Sequence, residues 1–260
     1  MGPGREGSTL STIDRADAPV ALVTGGAVRV GRAITLGLAE AGYDVVVHYR
    51  SSAGPAQEVA ETVKALGRQA ALAPGDLSVP EAIEAVVAVA DERFGRLDLV
   101  VNSAASFDAH PLLDVDADRW DGVMDVNVRA PHLVVRAAAP MLRRARGSVV
   151  NIVDLSAFQP WTEYPHHAVS KAALAHLTRI QARALAPEVR VNAVAPGAVL
   201  PPDDYAEERL DRLRDRTVLK RLGSPDDVVG AVLYLARAGF VTGQILAVDG
   251  GRMLGPPGPP

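Results

Sequence analysis

The stretch Thr24-Gly25-Gly26-Ala27-Val28-Arg29-Val30-Gly31 decides the fold that we predict for this chain. It lies between the apolar, β-branched run Val20–Thr24 and a helical stretch from about Val30 to Glu40. Glycines permit a tight turn and a close backbone approach at such a strand-to-helix junction. The N–H groups that begin the helix can hold a pyrophosphate, because the positive end of the helix dipole points at it. An ordinary strand-to-helix turn is the alternative.

Outward from this turn, short apolar runs alternate with longer helical stretches. Val45-Val46-Val47 is apolar without alternation, which is typical of a strand buried on both faces of a sheet. Regular βαβ alternation with right-handed crossovers predicts an α/β, Rossmann-like fold: one domain with a doubly wound, parallel, seven-stranded sheet and helices on both faces. The further predicted strands are 44–49, 69–73, 97–101, 148–153, 189–194 and 244–248, and the main helices 56–66, 80–93, 116–143 and 167–185.

The composition is that of one globular domain, with 260 residues, 48% hydrophobic and 22% charged. Residues 1–17 lack the apolar core of a signal peptide and are interpreted as a flexible leader. Residues 18–254 form the predicted domain. The glycine- and proline-rich residues 255–260 are predicted to be a disordered tail.

Charge and residue usage exclude several partners. A net charge of -4 calls for neither nucleic acid nor an acidic membrane, and no apolar run approaches the ~20 residues of a membrane span. The absence of cysteine excludes disulfides and thiolate chemistry and is compatible with a cytoplasmic location, which we expect. The adjacent His166 and His167 would project in different directions from a helix, so we predict no metal site.

The end of the second predicted strand indicates which dinucleotide would bind. An NAD-selective site places a carboxylate there, near the ribose 2′-hydroxyl. This chain has His48-Tyr49-Arg50-Ser51-Ser52 instead, with no acid. A guanidinium and hydroxyl groups suit a 2′-phosphate, and Arg29 adds a second positive charge. The pattern predicts that the chain binds NADP(H). The alternative is that both arginines are solvated surface residues with no role in cofactor binding.

The chain resembles the short-chain dehydrogenase/reductase family from Val20 to about Leu254. The motifs that carry this resemblance stand in the family's order: the glycine turn, Gly75-Asp76-Leu77, Val101-Asn102-Ser103-Ala104, Asn127, Lys171, Pro196-Gly197 and Val248-Asp249-Gly250-Gly251. The resemblance implies catalytic roles for Asn127 and Lys171. It implies cofactor contacts from Gly25, Arg29, Val30, Gly31, His48, Tyr49, Arg50, Ser51, Asp76, Leu77, Asn102, Ala104, Lys171, Pro196 and Gly197.

Within that family the chain is most similar to the pteridine reductases. The similarity lies in Arg29, in 48–51, in Asn102-Ser103-Ala104-Ala105-Ser106-Phe107, and in Asp154 where other members carry a catalytic serine. It implies that Phe107 stacks on a pterin and that Asp154 takes part in proton delivery. We also assign Tyr164 and Leu200 to the substrate side. The alternatives to these roles are that Phe107 is a plain aromatic residue of the core and that Asp154 is a helix N-cap.

One departure from the family pattern matters for the chemistry. The family's active-site tyrosine stands four residues before the lysine, where this chain has His167. Beside the Lys171 cation we expect His167 to be mostly neutral at pH 7 and a poor acid for the alkoxide made from a ketone. A C=N bond needs only a proton on a basic ring nitrogen. We therefore assign Asp154, with water, and His167 to the catalytic group.

These residues predict an NADPH-dependent reductase of a pterin or dihydrofolate C=N bond. Another short-chain carbonyl, enone or imine reductase is one alternative, and a non-catalytic NADPH-binding protein is another. The resemblance also implies a homotetramer, built through the helices after the fourth and fifth strands and through the C-terminal helix and strand. The segment 199–217 is expected to form a flap on the substrate side.

Overall fold

The computed structural model of the protein describes residues 18–255. The predicted leader, residues 1–17, and the predicted tail beyond Gly255 lie outside the described residues. No helix among residues 18–255 is long and apolar enough to cross a membrane.

The described residues form one sheet of seven parallel strands in the order β3-β2-β1-β4-β5-β6-β7. The strands are β1 (Val20–Thr24), β2 (Asp44–Tyr49), β3 (Ala70–Pro74), β4 (Leu99–Asn102), β5 (Ser148–Ile152), β6 (Arg190–Pro196) and β7 (Ile245–Val248). The central strands β1 and β4 are buried along their whole length, as their unbroken apolar runs predict. The strand order reverses between β1 and β4, and a crevice opens beyond their carboxyl ends, where ligands of such sheets bind.

Helices cover both faces of the sheet. They are α1 (Arg29–Glu40), α2 (Ala53–Ala65), α3 (Pro80–Phe94), α4 (Ala117–Met124), α5 (Ala130–Ala145), α6 (Pro165–Leu185), α7 (Glu207–Asp215) and α8 (Pro225–Arg237). Ile34 and Leu38 of α1 and Val232 of α8 belong to one buried apolar cluster. Val86 of α3 and Val134 of α5 belong to the other, on the opposite face. The predicted doubly wound fold is confirmed.

Three predicted helices differ from the observed ones, and one of them, predicted over 56–66, is α2, which begins three residues earlier at Ala53. The stretch predicted as one helix over 116–143 is α4 and α5 joined by a π-helical segment, Asp125–Arg129, which buries Asn127. The helix predicted from His167 begins two residues earlier, at Pro165. Proline suits the first turn of a helix, since its missing N–H has no partner there and its φ is already helical.

Candidate active site

A cleft of about 630 Å³ lies over the carboxyl ends of β1, β2, β3 and β4. Most predicted cofactor residues line it: Gly25, Arg29, Val30, Gly31, His48, Tyr49, Arg50, Ser51, Asp76, Leu77 and Ala104. Pro196 and Gly197 line a neighbouring cavity instead. Asn102 and Lys171 line neither cavity.

The glycine turn is packed too tightly for side chains. A Cβ on Gly31 would lie 2.1 Å from the Gly25 carbonyl oxygen. Gly25 has a φ of +64°, and a Cβ there would lie 3.0 Å from the Cα of Ala104. The turn therefore brings bare backbone to the N-terminus of α1, and this cradle fits a dinucleotide pyrophosphate.

His48 supports the cleft from beneath. The Gly25 N–H donates to its Nδ1 at 2.9 Å, and its Nε2 lies 3.1 Å from the Gly75 carbonyl oxygen. Burial lowers the pKa of His48, and the Gly75 hydrogen bond and the Asp76 charge only partly oppose this. A neutral ring that donates from Nε2 and accepts at Nδ1 satisfies both contacts. The imidazole was predicted to contact the cofactor, but both of its nitrogens form hydrogen bonds with the backbone of two cleft loops.

The two cleft arginines differ in their contacts. Arg29 has a positive φ of 51°, and its Nη2 donates to the Leu200 carbonyl oxygen at 2.7 Å. It therefore joins the glycine turn to the predicted flap. Arg50 is exposed on the cleft wall and forms no salt bridge within residues 18–255. Asp76 is held by the N–H and hydroxyl of Ser78, and these hydrogen bonds lower the pKa of its carboxyl.

Asn102 is not part of the cleft surface. Its side chain is buried and donates to Asn151 Oδ1 at 2.8 Å, and Asn151 donates in turn to Thr178 Oγ1 at 2.9 Å. This chain of amides ties β4 to β5 and to α6. Its role in the described structure is therefore to fix the sheet and helix that carry the neighbouring site residues.

A second cavity, of about 620 Å³, adjoins the cleft, and Val30 and Phe107 line both. Asp154, Tyr164, Pro196, Gly197 and Leu200 line it too, so the predicted substrate residues share one cavity. Phe107 is 57% exposed and stacks on Tyr164 with ring centroids 4.4 Å apart. A core position for Phe107 is thereby excluded, because more than half of its side chain is exposed where the two cavities meet.

Asp154 and His167 form a buried pair. His167 Nε2 lies 2.7 Å from Asp154 Oδ2, and His167 Nδ1 lies 3.1 Å from the Ser106 carbonyl oxygen. The other carboxylate oxygen of Asp154 accepts from the backbone N–H and the hydroxyl of Ser156, so Asp154 also caps a short 3₁₀ turn. His167 is 1% exposed, whereas the Asp154 side chain keeps 20% of its surface and lines the substrate cavity. The carboxylate, rather than the imidazole, is the member of the pair that faces a substrate.

Opposing effects act on the Asp154 carboxyl. Burial raises its pKa, but the hydrogen bond from His167 and the charge of Lys171 outweigh this, and the net pKa is lowered. Asp154 is therefore ionised at neutral pH. For Lys171 the effect of burial has the opposite sign: burial lowers the pKa of the ammonium group, and the Asp154 charge opposes that shift.

Asn127 and Lys171 hold the backbone around this pair. Asn127 accepts from the Ser106 N–H at 2.7 Å and donates to the Ser106 carbonyl oxygen and to Ser170 Oγ. Lys171 Nζ donates to the Ile152 carbonyl oxygen at 2.9 Å. The His167 ring itself contacts Asp154, the Ser106 carbonyl oxygen and the Phe107 ring.

Three groups in these cavities were not predicted from the sequence: Arg209, Arg216 and Arg252. Arg209 and Arg216 lie in a charged stretch, where nothing in the sequence pattern distinguishes them from their solvated neighbours, and Arg252 follows the glycine pair Gly250-Gly251 without any pattern that points to the cavity. Within residues 18–255, no group of three His, Asp or Glu side chains is placed so that it could hold a metal ion.

A glycine turn at the switch point of a doubly wound sheet, with an acid and a buried lysine beside it, defines a dinucleotide-dependent oxidoreductase. A family model described as Enoyl-(Acyl carrier protein) reductase matches residues 26–252. The chain belongs to the short-chain dehydrogenase/reductase family, whose members use NAD(P)(H).

Individual relatives cover almost the whole chain. An L-rhamnose 1-dehydrogenase (NAD(P)(+)) from a Sphingomonas species is 37% identical over 88% of this chain and 94% of its own. A 3-oxoacyl-(acyl-carrier-protein) reductase from Staphylococcus epidermidis is 35% identical over 90% of this chain and 98% of its own. A solved short-chain dehydrogenase/reductase structure from Burkholderia xenovorans has a TM-score of 0.86, with 30% identity, and covers 92% of this chain and 99% of that one. The protein is thus a short-chain oxidoreductase.

Proposed function

We propose that this oxidoreductase uses NADPH to reduce a C=N bond in a pterin-type ring, as in a dihydropterin or dihydrofolate. The observation that carries the proposal is the Asp154–His167 pair, whose carboxylate faces the substrate cavity. By the resemblance, Asp154 stands at the serine position and His167 at the tyrosine position of other family members. When bound, NADPH supplies the hydride. The chain must then orient the substrate ring and direct a proton to the ring nitrogen of the C=N bond.

The chain's own groups fit these two tasks. Phe107 has an exposed aromatic ring at the boundary of the cleft and the substrate cavity, and such a ring suits stacking on a flat substrate ring. Ionised Asp154 orients a cavity water by accepting its hydrogen bond, and the proton that reaches the basic nitrogen through this water is replaced from bulk solvent. His167 keeps the carboxylate in place through Nε2 and is itself held by the Ser106 carbonyl.

The preference for NADPH is supported by charge at the adenosine end of the cleft. Arg50 and Ser51 line this end, and the sequence has no carboxylate at the close of β2. A guanidinium without a competing salt bridge in the described residues can pair with a 2′-phosphate through two parallel hydrogen bonds.

A second candidate function is reduction of a ketone, and one observation favours it. Tyr164 lines the same cavity as Asp154 and so places a phenol near the substrate, although not at the family's position. Relatives named as 3-oxoacyl-(acyl-carrier-protein) reductase and L-rhamnose 1-dehydrogenase fit this candidate. A Tyr164→Phe variant separates the two, since it should abolish ketone reduction but leave C=N reduction within about threefold.

The test is NADPH oxidation by the purified protein with dihydrobiopterin or dihydrofolate, against a control without acceptor. Acetoacetyl-coenzyme A in the same assay, and L-rhamnose with NADP⁺, represent the ketone and sugar alternatives. Turnover with a dihydropterin at least about 100-fold above that with the ketone is expected. Bound NADPH without turnover of any acceptor would instead identify a non-catalytic NADPH-binding protein.

We further propose a homotetramer. Val169 and Ile180 on α6, and Phe240 and Leu254 near β7, are large apolar side chains exposed in the single chain. Gln181, also on α6, is buried without a hydrogen-bond partner for its amide within the described residues. Light scattering after size-exclusion chromatography checks the assembly, and a monomer at micromolar concentration would contradict it.

A further inference from the structure

Three guanidinium groups converge on the substrate cavity from the C-terminal third of the chain. Arg209 lies on α7, Arg216 directly follows that helix, and Arg252 lies in the 3₁₀ turn after β7. We call these three residues the arginine cluster. They line the same cavity as Asp154 and Phe107, and the reducing chemistry proposed above does not use them.

The arginine cluster lacks carboxylate partners. None of its members forms a salt bridge within residues 18–255, whereas the adjacent Arg214 pairs with Glu207 and Asp211 at 2.6 Å and Arg221 pairs with Asp227 at 3.3 Å. Arg214 and Arg221, which do not line the cavity, are thus neutralised locally, whereas the three arginines of the cluster are not.

Two of the three guanidinium groups are held by aromatic rings instead. Arg209 lies over the Tyr205 ring at 3.7 Å from its centroid, and Arg252 lies over Trp161 at 6.0 Å. The close contact of Arg209 with its ring leaves the N–H edge of the guanidinium free for a carboxylate or phosphate, and Arg252 lies at the outer limit of a cation–π contact.

The charges of the cluster are uncompensated inside the cavity. Burial lowers the pKa of Arg252, and repulsion from Arg216 lowers it further, while only Asp249 opposes these effects. Asp249 is itself occupied, because its carboxylate accepts from the backbone N–H groups of Gly251 and Met253 at 2.8 Å. The two acids that line the cavity are Glu163 and the Asp154 already paired with His167. A cavity with three cations and one unpaired acid attracts an anion.

We propose that the arginine cluster is an anion-binding subsite, so that the preferred substrate carries a carboxylate or phosphate remote from the bond that is reduced. This inference rests on the proposed function in assigning the cavity to the substrate. Among pterin-type compounds it selects dihydrofolate, with its glutamate tail, or a phosphorylated dihydropterin over the uncharged dihydrobiopterin.

The test compares dihydrofolate with dihydrobiopterin in Arg216→Gln/Arg252→Gln. The variant should raise KM for dihydrofolate about tenfold and leave both kcat and the KM for dihydrobiopterin within about twofold, since an ionic hydrogen bond is lost for one substrate only. Arg212→Gln is the matched control, because Arg212 lies on α7 outside the cavity, and it should change the KM for neither substrate. Arg216→Lys/Arg252→Lys should restore part of the preference because it keeps the charge. A phosphorylated dihydropterin in place of dihydrofolate distinguishes the two anionic sources.

Binding of p-aminobenzoylglutamate, measured by calorimetry, gives a readout that needs no turnover. The wild-type protein and Arg212→Gln should bind it, and affinity should fall about tenfold in the double glutamine variant and weaken with added salt. Equal binding by the wild type and the double variant, or equal KM changes for both substrates, would overturn the subsite. If neither dihydropterin is reduced yet this arginine-dependent binding persists, the proposed reaction fails while the subsite stands.

Discussion

Replacing Asp154 with asparagine is expected to remove the carboxylate that orients the proton-carrying water while leaving its surroundings in place. An asparagine Oδ1 can still accept from the Ser156 N–H, which now lies 2.8 Å from the carboxylate. Its amide can donate to His167 Nε2 once the ring proton sits on Nδ1, where the Ser106 carbonyl oxygen lies 3.1 Å away. With this tautomer each ring nitrogen has a hydrogen-bond partner, and the ionic hydrogen bond at Nε2 becomes a neutral one.

These contacts set the size of the two effects. Exchanging an ionic hydrogen bond for a neutral one should lower the free energy of unfolding by about 1–2 kcal/mol. Loss of the group that orients the proton should lower kcat by a factor of about 10² to 10⁴. NADPH affinity should stay within about twofold, because Asp154 lines the substrate cavity and not the cofactor cleft. The variant also removes the charge that opposes the lowered pKa of Lys171, so that pKa should fall further.

The assay is single-turnover reduction of a dihydropterin, with NADPH affinity from fluorescence titration and stability from urea unfolding. Glu163→Gln is the matched control, since Glu163 is the other carboxylate that lines the cavity, and kcat should stay within about twofold. An Asp154→Asn variant that keeps its kcat within about threefold, with NADPH bound, would refute the role given to this carboxylate.

Three further predictions concern the cofactor cleft. Arg50→Asp should weaken NADPH about 10- to 100-fold and favour NADH, measured by KM for each cofactor, while Arg32→Asp, on an exposed position of α1, should leave the ratio unchanged. Gly31→Ala should lower NADPH affinity at least about tenfold because its Cβ would meet the Gly25 carbonyl at 2.1 Å, whereas Gly122→Ala, which meets nothing within 4 Å, should be neutral or stabilising in thermal unfolding. His48→Gln should lower stability by about 2 kcal/mol at pH 8. The pKa of His48 in the folded protein lies below its ordinary value, so the stability that the neutral ring contributes is present above pH ~6.5 and is lost as the pH falls through the folded-state pKa. The difference in free energy of unfolding between His48→Gln and wild type, measured by urea titration, should therefore be smaller at pH 5 than at pH 8. A difference that does not change with pH would contradict a neutral buried ring.

The fold was predictable because it depends on patterns that repeat. Buried parallel strands need unbroken apolar runs, and each observed strand lies within two residues of its predicted bounds. The glycine turn was likewise predictable, since backbone approach at Gly31 leaves no room for a side chain. The interruption of the long helix at Asp125–Arg129 was not, because a π-helical turn has no distinct residue pattern in this sequence.

Much of the site depends on contacts between distant residues, which spacing does not predict. Asp154 and His167 were both proposed from the sequence, but their pairing follows from how the end of β5 meets the start of α6. The same holds for His48, whose partners Gly25 and Gly75 come from two other loops. The arginine cluster was missed altogether because only the folded chain separates its members from paired neighbours such as Arg214.

The π-helical segment has a consequence for insertions and deletions. Its turns hold one residue more than an α-helical path, so deleting one residue within 125–129 would leave α5 in phase with the sheet, and the buried stripe that includes Val134 and Leu142 would stay covered. The same deletion inside α5 would rotate everything after it by about 100° and expose that stripe. What the first deletion would cost is the inward position of Asn127, and with it the anchoring of Ser106 beneath His167. At this one point of the long helical segment, the chain can be shortened and the site altered without uncovering the packed face of α5.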